Sequence, residues 1–261
     1  MVQWTVPGYA HARELGVTAS GRTVLATHLA TGTPVVIKYL ADDLWRDEAY
    51  LDRRRAETRR LIELDSPHVT ALYEYVEADE GVATVREYVA GASLRDLLAT
   101  GGALPEEAAL TVLKGGLLGL TAGHAVGARH GDYRADQVLV DVEGNTRLAD
   151  FGADPSPDAG DASGAAADDT AAAVATFVEC LESGPVLRGP QDGGAAATPL
   201  PKRLRAILPA LTGADDPAVL AGELDAVATR SYGSGWESRG RKRLARRVAR
   251  HVRRATGRGR G

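Results

Sequence analysis

RHGDYRADQVLVD, residues 129–141, is the stretch on which the reading of this chain turns. A polar segment carrying Asp132, Arg134 and Gln137 runs straight into Val138-Leu139-Val140, a run of strand character. TRLAD (146–150) lies across the turn residues Glu143-Gly144-Asn145, so a hairpin is expected. Its second arm delivers Asp150-Phe151-Gly152.

Upstream, the first ninety residues read as a β-rich unit with one helix. YAHARELG (9–16) and GRTVLATHLA (21–30) alternate like antiparallel strands, and PVVIKYL (34–40) reads as a buried strand ending near Lys38. Residues 45–64 carry Arg, Glu and Leu at helical spacing until Ser66-Pro67 stops them. TALYEYVEA (70–78) and GVATVREYV (81–89) form a hairpin. After Gly91 the pattern turns helical, over 93–100 and 105–126, the latter with Pro105 and two Glu in its first turn. Residues 153–168 and 183–200 are read as low-complexity loops, with helices at 169–182, 201–211 and 217–231.

Composition is that of a water-soluble globular chain, 44% hydrophobic and 25% charged. One cysteine excludes an internal disulfide, and Cys180, within AAAVATFVECL, reads as a small buried hydrophobe. No stretch resembles a signal peptide or a membrane span, so a cytoplasmic location is expected. The net charge of −4 hides an asymmetry: residues 239–261 hold ten Arg and Lys242 with no acid, which leaves the remainder near −15.

Four motifs occur in one order. They are Lys38 on the third strand, Glu57 on the following helix, HGDYRADQ, and Asp150-Phe151-Gly152. This order and spacing resembles the protein kinase family, most closely bacterial serine/threonine kinases, over roughly residues 9–231. The resemblance implies an α+β bilobal fold: a small lobe over 1–90, a reduced, mainly helical lobe over 91–238, and a basic tail over 239–261. It implies ATP and Mg²⁺ as cofactors. It gives Lys38 the phosphates and Glu57 the fixing of that lysine, while a plain surface pairing of Glu57 with Arg53 or Arg54 stays open. Asp132 is then the residue that orients a substrate hydroxyl, with Arg134 beside it. Asp150 and Gln137 hold metal, Gly16 and Gly21 bound the phosphate loop, Val36 roofs the adenine, and Glu87, Val89 and Leu139 complete the nucleotide site. His130 and Phe151 read as packing residues.

The sequence also departs from the family pattern. Thr18 replaces the middle glycine of the phosphate loop and crowds it. Val36 narrows the adenine site. Arg86 stands where an apolar residue backs that site, and a buried unpaired Arg is costly; it points out, pairs with an acid such as Glu57, or fills the pocket. Gln137 replaces an Asn and moves its amide by about 1 Å, enough to cost roughly 100-fold in rate. Gly131 replaces Arg, and Arg134 replaces Lys. Only 16 residues separate Gly152 from Asp169, so the segment that builds a peptide platform is nearly absent.

Three functions follow. The favoured one is a pseudokinase that binds protein partners and binds ATP weakly or not at all. The second is an active minimal serine/threonine kinase acting on a protein hydroxyl. The third is a small-molecule kinase of aminoglycoside-phosphotransferase type, suggested by His130-Gly131-Asp132. In the tail, Leu244, Val248 and Val252 share one helix face and arginines cover the rest. Such a helix suits an acidic protein surface, the chain's own included, an anionic membrane or nucleic acid, and the membrane option would make the protein peripheral.

Overall fold

The computed structural model describes residues 4–152, 162–182 and 216–257, with side chains from 168 in the second segment and to 255 in the third. The expected loop at 183–200, the expected helix at 201–211 and residues 153–161 lie outside the described residues.

The N-terminal half is a five-stranded antiparallel sheet, in the order β1-β2-β3-β5-β4. Its strands are β1 (Tyr9–Thr18), β2 (Gly21–His28), β3 (Pro34–Leu40), β4 (Leu72–Ala78) and β5 (Gly81–Glu87). Two helices interrupt it, α1 (Asp42–Trp45) and α2 (Glu48–Ile62), the latter capped by the Asp47 side chain on the Tyr50 N–H. Period-two alternation sorts β3 and β5. Val35, Ile37, Ala83 and Val85 bury into one small core with Val24 and Ala26. Val36 and Lys38 turn to the opposite face, where their cross-strand partners are Arg86 and Thr84.

A second sheet of short strands, β6 (Gly91–Ser93), β7 (Val138–Asp141) and β8 (Thr146–Leu148), underlies the first. The β7–β8 pair is the hairpin expected from the opening stretch. β6 went unseen, because three half-buried residues carry no periodicity. The remaining helices are α3 (Leu94–Gly101), α4 (Glu106–Ala125), α5 (Ala162–Leu181), α6 (Pro217–Tyr232) and α7 (Trp236–Gly257). The start of α5 corrects the sequence reading: the expected loop over 153–168 ends by Ala162, where helix begins. Ala-rich sequence has high helix propensity.

α4 is the centre of the large core. Leu110, Leu113, Leu117 and Leu120 are fully buried among α5, α6, α7 and β8. Its glycines allow a close approach, Gly115 and Gly119 to Thr146 and Leu148 of β8 and Gly116 to Tyr133. A Cβ on Gly123 would fall onto the ring of Phe151, which is itself buried. In an open helix, Gly123→Ala would add about 1 kcal/mol of helix propensity. Here we expect urea unfolding to show a net loss of about 1–3 kcal/mol, because the buried ring cannot move aside.

α7 begins three residues before the expected tail, at Trp236, and packs as part of this core. Trp236, Leu244 and Val248 are fully buried, whereas Val252 is exposed. Arg247 is buried as well and donates to the carbonyls of Leu97, Gly102 and Ala103, the open C-terminal end of α3. Arg239 and Arg243 reach Glu107 of α4, at 2.7 and 3.5 Å. No described helix is long and apolar enough to cross a membrane.

Candidate functional site

The face of β3 and β5 that carries Val36, Lys38 and Arg86 closes over β7 and the turn after β8. Between them lies a cleft of about 600 Å³, within the range of small-molecule sites. Val36, Lys38, Glu87, Val89, Gln137, Leu139, Asp150 and Arg134 all line it, so most of the expected site residues converge. Tyr88 and Arg86 line it as well. Leu15, Thr18 and Ser20 border it from the β1–β2 hairpin, whereas Gly16 and Gly21 do not. Gly16 is a paired β1 residue opposite Thr23, and Gly21 opens β2.

Lys38 donates to Asp150 Oδ2 at 2.6 Å, and Arg86 Nη2 lies 3.5 Å from Oδ1 of the same carboxylate. Burial works to raise the Asp150 carboxyl, but Arg86 and then Lys38 outweigh it and hold the group well below the ordinary carboxylate range. Of the three placements open to Arg86, the structure has it lining the cleft and paired with an acid, which is Asp150 rather than Glu57.

The expected Lys38–Glu57 pair is not formed. Glu57 instead meets Arg54, one turn earlier on α2, at 3.4 Å. Arg54 is buried, and its Nη1 donates to the carbonyls of Phe151, at 3.2 Å, and Gly152, at 2.6 Å. Gly152 has φ of 70°, and a Cβ there would fall onto the Glu57 carboxylate. α2 is therefore latched to the Asp-Phe-Gly backbone through Arg54; of the two pairings open to Glu57 in the sequence, the one with Arg54 forms, with Arg54 buried rather than at the surface. Burial pushes the Glu57 carboxyl up, against the pull of Arg54 and Arg86.

Asp132 is half-exposed and paired with Arg134 Nε at 3.1 Å. Beneath it, His130 is fully buried, its ring 4.9 Å from that of Phe151. The backbone N–H groups of His130 and Gly131 both donate to Asp169 of α5 at 2.9 Å. Asp169 also accepts from, or pairs with, His124 Nε2 at 2.9 Å. The loop is thus fixed from below while Asp132 faces outward. The Glu87 carboxylate is occupied by Arg147 of β8, at 2.5 Å. Sequence reasoning also missed His251 and Ala255 of α7, which edge the cleft mouth.

The donor set does not suit Mg²⁺ in this arrangement. Both oxygens of Asp150 face cations, Lys38 on one and Arg86 on the other. A phosphate-bearing nucleotide is a better match to the cleft, given its volume and its two cations.

Comparison with known proteins agrees with the fold. Residues 9–159 match the family model described as protein kinase domain. Serine/threonine-protein kinase PknL of Mycobacterium tuberculosis is 34% identical over 119 residues, 46% of this chain and 30% of PknL. PknA of Corynebacterium glutamicum is 33% identical over 133 residues, 49% of this chain and 28% of PknA. The matched segment is thus about 30% of the length of these curated relatives. Among solved structures, the Mycobacterium tuberculosis PknI kinase domain superposes with a TM-score of 0.68 at 23% identity, covering 89% of this chain and 99% of that one.

Proposed function

The chain belongs to the protein kinase domain family, and on that premise we propose that it works as a kinase-fold regulatory binding module whose phosphoryl transfer is weakened or lost. The observation that carries the reading is the Lys38–Asp150–Arg86 cluster: the lysine and the carboxylate that transfer would need free are bound to each other. Gln137 in place of a shorter amide, the shortened stretch between Gly152 and Asp169, and Glu87 held by Arg147 add to it. Its partners are proteins, in keeping with its serine/threonine kinase relatives.

Active serine/threonine phosphotransfer is the second reading, favoured by the convergence of Lys38, Gln137 and Asp150 on one cleft with Asp132 close to its rim. Labelled ATP, Mg²⁺ and a generic protein substrate separate the two. We expect label transfer no higher than that of Asp132→Asn. Transfer well above that variant would establish the active reading instead.

A further inference from the structure

Arg86 is 6% exposed, lines the cleft, and reaches Asp150 only at 3.5 Å. Its Nε and Nη2 have no hydrogen-bond acceptor among the described residues, nor does Nε of Arg54 behind it. Buried guanidinium donors almost always have partners, and leaving them unpaired is costly. The charges tell the same story. Among the described residues, Lys38, Arg54 and Arg86 face two carboxylates, Glu57 and Asp150, so this group of side chains holds one more cation than anion. Lys38 and Arg86 line the cleft, whereas Arg54 lies behind them, so an anion with several acceptor oxygens delivered there would meet two of the three cations. Guanidinium groups match phosphate oxygens in geometry as well as in charge.

A divalent cation is poorly placed to help here. To reach Asp150 it would have to displace both Lys38 and Arg86, or sit beside them at the cost of like-charge repulsion in a low-dielectric site. We infer that the cleft binds the polyphosphate group of a nucleotide without a divalent metal, Arg86 and Lys38 neutralising the phosphates that Mg²⁺ would otherwise neutralise. The inference rests on the reading of the chain as a binding module, and names what that module binds.

Calorimetric titration of the full chain tests it, with ATP in EDTA, ATP in excess Mg²⁺, adenosine, and pyrophosphate as competitor. ATP is expected to bind in EDTA no more weakly than in Mg²⁺, adenosine at least tenfold more weakly than ATP, and pyrophosphate is expected to displace ATP. Arg86→Met, which keeps the volume and removes the charge, should weaken binding in EDTA at least tenfold and make the remaining binding depend on Mg²⁺. Arg86→Lys, which keeps the charge, should bind in EDTA more tightly than Arg86→Met. Thermal unfolding of each variant without ligand confirms that it is folded. Binding that requires Mg²⁺, binding undisturbed by pyrophosphate, or an Arg86→Met variant equal to wild type in EDTA would each overturn the inference. So would the absence of ATP binding in both conditions, which leaves the proposed function standing. Phosphate transfer to protein would instead sink the proposed function.

Discussion

Replacing Asp150 with Asn is expected to lower the unfolding free energy by about 3–5 kcal/mol, read from the urea midpoint at neutral pH. The substitution keeps the shape and removes the only carboxylate that either Lys38 or Arg86 pairs with among the described residues. Both cations are largely buried, so hydration from the cleft recovers little of the loss. A carboxylate kept free for a metal would behave in the opposite sense, and its removal would relieve repulsion. The pH dependence follows from the same pair. The folded Asp150 carboxyl lies below its ordinary value of 3.8, so the folded state holds fewer protons than the unfolded one in acid. Its stabilising contribution is complete above that ordinary value and is lost as pH falls toward the folded one. Between about pH 4 and 2, wild type should lose stability more steeply than Asp150→Asn. Equal slopes would count against the pairing.

Ending the chain at Gly235 should abolish cooperative unfolding altogether. The segment removed looks by composition like a solvated basic tail, and a tail of that kind could be lost at no cost. In the structure it is a wall of the main core. Trp236 and Leu244, both fully buried, carry costs of about 3–5 and 2–5 kcal/mol on truncation to alanine. Together these match the whole stability of a typical domain, about 5–15 kcal/mol. Leu244→Ala alone is expected to cost about 2–5 kcal/mol by urea unfolding. A shortened chain that still unfolds in one sharp transition would mean that α7 is an appendage.

The fold was legible because its signals are local and mutually consistent. The β7–β8 hairpin, the alternation of β3 and β5, the Asp47-capped helix α2 and the Pro105-led helix α4 each follow from a few neighbouring residues. The convergence of Lys38, Gln137, Leu139 and Asp150 on one cleft was legible from motif order. Their pairing was not. Whether Lys38 meets Glu57 or Asp150 depends on where α2 sits. That is fixed by Arg54 on the Phe151 and Gly152 carbonyls, about a hundred residues away in sequence. Arg86 announced itself as an anomaly, and the chemistry of a buried guanidinium limited its placements. Choosing among them required the left-handed turn at Asp150, φ 65°, which no side-chain pattern encodes. In α7 the spacing of Leu244 and Val248 gave a face, and the surface that covers it was assembled from α3 and α4.

One carboxylate is shared by two side-chain cations, and a crystal structure of the chain grown with ATP and Mg²⁺ reads that arrangement directly. Lys38 and Arg86 are expected to stay gathered around Asp150 or to pass onto the phosphates, with Glu57 still on Arg54 and no metal on Asp150. Mg²⁺ bridging Asp150 and Gln137, with Lys38 moved onto Glu57, would contradict it.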